Sequence, residues 1–221
     1  MYPTIESYIN IHTHHKRRVA QEFIVRNAYL RQLKILKYPI SRGLHPWNAH
    51  TLAPELIYTT LNSLLIQPMT WAIGEIGIDR INGPSLGLQI EVLNIQLQVA
   101  TEQNLPVIWH VVRAYTDIVP FIKRTGVPHI IHHFNGNQTE ASKLIDLGCI
   151  LSFGNNLFNY RSDDILRQIP ASAFMLETDT AAHLHIVDIY EKAAEIRKTE
   201  MSLLKAQVFH NFDRIFGKHR Q

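Results

Sequence analysis

The sequence predicts an α/β protein of the (β/α)8 TIM-barrel class, distorted by short early connections. Three observations carry that expectation. Eight apolar segments of strand length recur between Tyr8 and Asp179. From Pro54 onward, segments with apolar residues at helical spacing alternate with them, the order that goes with parallel pairing. Finally, the polar residues of these strands gather toward their C-terminal ends, where barrels of this class carry their chemistry.

The first strand, Tyr8-Ile-Asn-Ile-His12, runs into His12-Thr-His14. Residues i and i+2 of an extended segment share a side, so both imidazoles face one spot. The second strand covers residues 22–28, with branched residues in its middle. The third, residues 39–46, ends in Gly43-Leu-His45-Pro46-Trp47. The connections between these early strands look short. Residues 54–65 form the first helix, with apolar residues near i, i+3 and i+4. The fourth strand, residues 71–76, carries Glu75 between Gly74 and Gly77, and Asp79 follows. A carboxylate in an apolar strand is expensive to bury unless it meets a cation or strong donors. Glycines beside it let other atoms approach the backbone closely.

A turn-rich stretch, residues 80–85, precedes a helix over 89–102, which Asn104-Leu-Pro106 ends. The fifth strand, 107–110, ends in His110, and a helix is expected over 118–123. The sixth strand, 128–133, ends in His132 and His133, followed by a helix over 139–147. The seventh strand spans 149–154, with a short helix over 163–168. The eighth, 173–179, ends in Glu177-Thr-Asp179. One long amphipathic helix is expected over 186–204, and residues 208–216 close the chain. Trp71, Ile73, Ile76, Val107, Ile108, Ile130, Ile131, Ile150, Leu151 and Phe174 are assigned to barrel packing.

With 221 residues, 46% of them hydrophobic, the chain suits one domain over 1–221 with a sizeable core. A net charge of +3 is compatible with an anionic substrate but far from that of a nucleic-acid coat. The single cysteine, Cys149, excludes an internal disulfide and points to the cytoplasm. No run approaches the roughly 20 apolar residues of a membrane helix, and the first residues lack signal-peptide character. No membrane is therefore expected as a partner, and the chain is expected to be a monomer. The run His15-Lys-Arg-Arg18 reads as a solvated face or as a phosphate contact.

His12, His14, Glu75, His110, His132 and Asp179 stand at the ends of five strands. Four imidazoles and two carboxylates suit divalent ions. Six groups exceed the three protein ligands of a usual catalytic ion, so two ions about 3.5–4 Å apart are expected, with Glu75 as the bridge.

At these residues the sequence resembles the TatD family of metal-dependent hydrolases, within the amidohydrolase-like barrels. Asn10-Ile-His-Thr-His14 resembles the family's D-x-H-x-H, and Gly43-Leu-His-Pro46 its G-[IV]-H-P. Gly74-Glu-Ile-Gly-Ile-Asp79 resembles G-E-[IC]-G-L-D, and residues 89–100 its helix with two glutamines. Leu105-Pro-Val-Ile-Trp-His110 resembles L-P-V-x-x-H, His132-His-Phe-Asn-Gly136 resembles H-C-F-[ST]-G, and Glu177-Thr-Asp179 resembles E-T-D. The resemblance implies a TIM barrel, a binuclear centre of Mg, Mn or Zn on the same six residues, and hydrolysis of nucleic-acid phosphodiesters, often as a deoxyribonuclease. Single-stranded DNA or another phosphoester is the implied partner.

Four departures stand out. Asn10 replaces the family's Asp, Arg113 stands one residue late, and His133 replaces a Cys. Thr180-Ala-Ala-His183-Leu-His185 replaces a loop rich in Pro and Arg. The expected chemistry is attack by water acidified by the ions, with Asp179 orienting it and shuttling its proton, and Glu75 as the second catalytic carboxylate. His45, Asp79, Arg113 and His133 are the candidates for binding substrate or orienting ligands. Two alternatives stay open: a hydrolase of a small amide, ester or phosphate, and a non-catalytic barrel that binds a partner.

Overall fold

A computed structural model describes residues 2–16, 19–30, 37–65 and 68–219, apart from the side chains of Tyr160 and Arg161. In chain order the elements are β1 (Tyr8–Thr13), β2 (Glu22–Tyr29), β3 (Ile40–Gly43), α1 (Pro54–Leu65), β4 (Thr70–Asp79), α2 (Leu86–Glu102), β5 (Val107–Val112), α3 (Tyr115–Thr125), β6 (His129–Ile131), α4 (Gln138–Asp146), β7 (Ile150–Phe153), α5 (Tyr160–Gln168), β8 (Phe174–Leu176), α6 (Ile186–Arg197) and α7 (Met201–Phe216). This is the expected order of eight strands, and no helix lies before β3 among the described residues. The chain forms two compact units, Asn27–Ile131 and the remainder, Met1–Arg26 with His132–Gln221.

In the unit Asn27–Ile131, β3 pairs with β4, β4 with β5 and β5 with β6, all parallel. All ten residues of β4 are buried, as expected of a parallel strand covered on both faces. The strand extends to Asp79, so Glu75 lies within it rather than at its end. Its pairing with β5 is irregular between Ile73 and Ile76, around Glu75. The glycines there are demanded by close approach. A Cβ on Gly77 would lie 1.9 Å from the carbonyl oxygen of His110, and one on Gly74 2.8 Å from the Ile108 Cβ. Helix α2, capped by the Ser85 hydroxyl, packs on β4 and on α1. His129, which the sequence passes over as part of the sixth strand, is a core histidine. Its Nδ1 accepts from the Trp109 indole at 2.9 Å, its Nε2 meets the Thr125 hydroxyl, and burial pushes it down to about 4.

In the other unit, β1 pairs with β2 and β7 with β8, again parallel. The segment after β8 is tied to β1: the Asp179 N–H donates to the His12 carbonyl at 3.0 Å, and the His14 N–H to the Asp179 carbonyl at 3.1 Å. The long helix expected over 186–204 is two helices, and the separate closing segment expected over 208–216 belongs to α7. Lys198 takes a left-handed conformation at the end of α6, and Glu200 opens α7. No Gly or Pro marks this break, so apolar periodicity runs across it. The sixth and eighth strands end earlier than expected, leaving His132, His133 and Asp179 just beyond them. Among the described residues no helix is long and apolar enough to cross a membrane.

Two glycine substitutions test this packing. Gly77→Ala, which places a methyl group on the His110 carbonyl, is expected to cost about 3 kcal/mol or more. Gly87→Ala, in α2 with nothing within 4 Å of the added Cβ, is expected to gain about 0.5–1 kcal/mol. Urea unfolding of both variants measures the difference, and equal effects would contradict the close approach.

Candidate metal centre

Glu75 is 4% exposed. Its Oε1 meets His110 Nδ1 at 2.7 Å and His45 Nε2 at 3.1 Å, and its Oε2 accepts from the Asn27 amide at 3.3 Å. Asn27 also accepts the Glu75 backbone N–H at 3.2 Å, which locks the carboxylate to β2. The His45 tautomer follows from its other nitrogen. Its Nδ1 accepts the Trp47 backbone N–H at 3.2 Å, so Nε2 carries the proton that is donated to Glu75. His45 thus acts as a donor to the carboxylate, in a 3₁₀ turn that Pro46 opens directly after it.

His110 lies between two carboxylates, with Nε2 3.2 Å from Asp79 Oδ2. Asp79 is 2% exposed, and its acidity reflects opposing causes. Burial would raise its pKa, but hydrogen bonds from the Trp47 indole, the Asn82 and Ile81 backbone N–H groups and His110 outweigh it and bring it down to about 2. Asp79 is therefore ionised, and it fixes the His110 ring through Nε2 while Nδ1 faces Glu75. A carboxylate on the far nitrogen of a metal-binding imidazole is the usual support of such a ligand. Nitrogen and oxygen atoms of His45, Glu75 and His110 all lie within 4.8 Å of one another, with Glu75 and His110 as the ligand types facing each other and the His45 N–H turned onto the carboxylate.

The other unit holds a second set, His12, His14 and Asp179, also with donor atoms within 4.8 Å. Asp179 Oδ1 lies 3.6 Å from His12 Nε2 and 3.4 Å from His14 Nε2. Ligands about 2.0–2.2 Å from one ion sit roughly 3–3.5 Å apart, so the spacing suits a small divalent cation. Asp179 takes a positive φ of 46°, a conformation that Asp tolerates better than most residues. The His132 ring lies 4.5 Å from that of His12. Its Nδ1 meets Glu177 Oε1 at 3.2 Å. Glu177 is fully buried. Burial works to raise its pKa, but the imidazoles of His132, His12 and His133 prevail and hold it below the usual range.

Five of the six expected ligands thus fall into two donor sets, and His132 packs against one of them. Of the other candidates, His45 and Asp79 support the Glu75 set. His133 lies against Glu177, to which its backbone N–H donates at 3.1 Å, and burial lowers its pKa. Arg113 is exposed, at a positive φ of 51°, and is not drawn into the Glu75 set. Arg17 and Arg18, the heart of the basic run, lie outside the described residues.

Four supporting residues have no role in the sequence reading: Asn27, Trp47, Glu177 and Asn10. The Asn10 amide donates to Glu22 and to the Thr178 hydroxyl, each at 2.8 Å, and its oxygen accepts the Thr178 N–H. With the acid Glu22 beside it, an amide at position 10 supplies donors that an ionised Asp could not. Glu177 was visible within Glu177-Thr-Asp179; nothing in the sequence marks Asn27.

The family model of TatD related DNases matches residues 26–217, so His12 and His14 precede the matched stretch. The "Uncharacterized metal-dependent hydrolase YjjV" of Escherichia coli strain K12 is 31% identical over 144 residues, which cover 62% of this chain and 56% of YjjV. The chain thus matches little more than half the length of that relative. The "3'-5' ssDNA/RNA exonuclease TatD" of Pantoea ananatis is 27% identical over 200 residues, covering 79% of this chain and 76% of its own. The crystal structure of YjjV superposes with a TM-score of 0.84 at 20% identity, over 97% of this chain and 99% of the other. That likeness shows the fold, the (β/α)8 TIM barrel that the alternation of strands and helices predicts.

The acidity of Asp79 gives a pH signature. Its pKa in the folded chain is depressed from an ordinary 3.8 to about 2, so its stabilisation is present above about pH 4 and lost as pH falls toward 2. In metal-free protein, the unfolding free energy is expected to fall about 2 kcal/mol further over that window in the wild type than in Asp79→Asn. Parallel curves from chemical denaturation would contradict the assignment.

Proposed function

Because the chain belongs to the family of TatD related DNases, we propose that it is a metal-dependent hydrolase of phosphodiesters in single-stranded nucleic acid, with residues 1–221 as one catalytic domain. The proposed ligands of two divalent ions, Mg, Mn or Zn, are His12, His14, Glu75, His110, His132 and Asp179. The observation that carries this reading is Glu75 itself: a buried carboxylate aligned by a His45 N–H, by the Asn27 amide and by His110, inside an apolar strand. The nuclease-named relative from Pantoea ananatis lends the substrate class.

Bound there, divalent ions supply acidified water and charge stabilisation on the phosphoryl oxygens. The chain's own residues do the rest. Asp79 and Glu177 hold the His110 and His132 rings by the nitrogen that faces away from the donor set. Asp179, 23% exposed beside the fully buried His12, orients the attacking water and takes its proton. Arg113 and His133 are retained for the substrate phosphate. Cys149 is buried and pushed up to about 12, so its thiol is inert, in keeping with a reducing compartment.

One observation favours a second reading, a hydrolase of small amides, esters or phosphates. Only six residues separate Asp179 from α6, and they contain no Arg or Pro to grip a strand.

Metal-loaded protein is expected to cleave single-stranded oligodeoxynucleotides and to lose that activity on chelation. Asp179→Asn is expected to lower kcat by roughly 10²–10⁴-fold while elemental analysis still finds metal. Undiminished turnover of Asp179→Asn would remove its proposed role. Cleavage of small phosphoesters or amides, with single-stranded DNA untouched, would select the second reading.

A further inference from the structure

Asp79 does more than hold His110. Its Oδ2 accepts the Trp47 indole N–H at 2.5 Å, and its Oδ1 accepts the Ile81 N–H at 2.7 Å. Both partners are large apolar residues left in the open: Trp47 is 47% exposed and Ile81 57%. The indole is held firmly. Its backbone N–H donates to His45, and the ring stands near-perpendicular to the imidazoles of His45 and His110, at 4.9 Å and 5.8 Å, so neither stacks flat on it. The turn after Ile81 presses on the same residue: a Cβ on Gly83 would meet the Trp47 Cα at 3.0 Å. One carboxylate therefore anchors an exposed indole, an exposed isoleucine and the ring of a proposed metal ligand.

We propose that Trp47, with Ile81 beside it, is the platform on which a nucleobase next to the scissile phosphodiester stacks. This rests on the nucleic-acid reading above and deepens it: the site recognises the base by its π-face and thus takes strands of any sequence. A residue already held by an indole and a backbone hydrogen bond loses little rotamer freedom when a base lands on its ring. Base–aromatic stacking is sequence-tolerant, because every base has a π-face. A small amide or ester would have no use for such a platform. The coupling through Asp79 also ties base binding to the His110 ring, so a correctly stacked base and a correctly oriented ligand favour each other.

The test uses the fact that the other two of the three tryptophans, Trp71 and Trp109, are buried, at 6% and 0% exposure. Chelated protein is titrated with a short oligothymidylate and with an abasic deoxyribose-phosphate strand of equal length. The proposal expects the base-bearing strand to quench the accessible tryptophan fluorescence and shield it from acrylamide. It expects the abasic strand to do neither. Metal-loaded Trp47→Leu and Trp47→Phe are then compared on both strands. Both variants lose the N–H to Asp79, and only Trp47→Phe keeps a ring. Trp47→Leu is expected to raise KM for the base-bearing strand by roughly 5- to 150-fold and to erase the preference over the abasic strand, with Trp47→Phe restoring most of it. If wild type cleaves both strands equally well and its fluorescence responds alike to both, the platform is overturned while the nuclease reading stands. If the two variants are impaired equally, and on both strands, Trp47 only anchors Asp79 and the platform is again overturned. If no strand is cleaved or bound, the nuclease reading falls and takes the platform with it.

Discussion

A carboxylate buried inside an apolar strand is the constraint on which the unit Asn27–Ile131 depends. Glu75 cannot shed its charge into water, so its oxygens must be met by donors or cations. The chain meets them from two strands and a turn: Asn27 from β2, His110 from β5, and His45 from the turn after β3. Those partners must come close, and the glycines of β4 permit it. The His110 carbonyl occupies the space where a Gly77 side chain would be. The local irregularity of β4 against β5 falls at the same place. Backbone, packing and charge thus converge on one residue.

Around it the acids divide their work by environment. Asp79 is kept ionised by donors on both oxygens, so it can hold His110 while anchoring Trp47 and Ile81. Glu177 is fully buried and does the same for His132, its charge sustained by neighbouring imidazoles. Asp179 is the more exposed acid, set beside His12 and His14, and so is the one with access to water. Asn10 keeps this second set in register without adding a negative charge beside Glu22. The arrangement suits chemistry in which imidazoles stay fixed and one carboxylate exchanges protons.

Much of this was legible in the sequence. The alternation of apolar strands and amphipathic helices is enough for the fold class. The ligand types at strand ends are enough for two donor sets, because a His or Asp closing an apolar run has few bland explanations when it recurs. What was not legible was set by tertiary contact. The break between α6 and α7 falls on Lys198, which carries none of the residues that usually mark a left-handed cap. Glu75 was expected near the end of a strand over residues 71–76; burial of all of β4 carries the strand on to Asp79. For His45 and Asp79 the sequence left binding substrate and orienting ligands both open, and the direction of their hydrogen bonds appears only in the structure, where they bond to Glu75 and His110. Asn27 is polar at one position of an ordinary strand, and its role appears only when Glu75 is placed beside it.

The most direct test of the account is anomalous diffraction from crystals grown with Mn or Zn. Data collected at the absorption edge of the metal locate the ions independently of activity. The account predicts one peak bonded to His12, His14 and Asp179 and another bonded to Glu75 and His110. Absence of a peak beside Glu75, or binding confined to surface histidines, would contradict it.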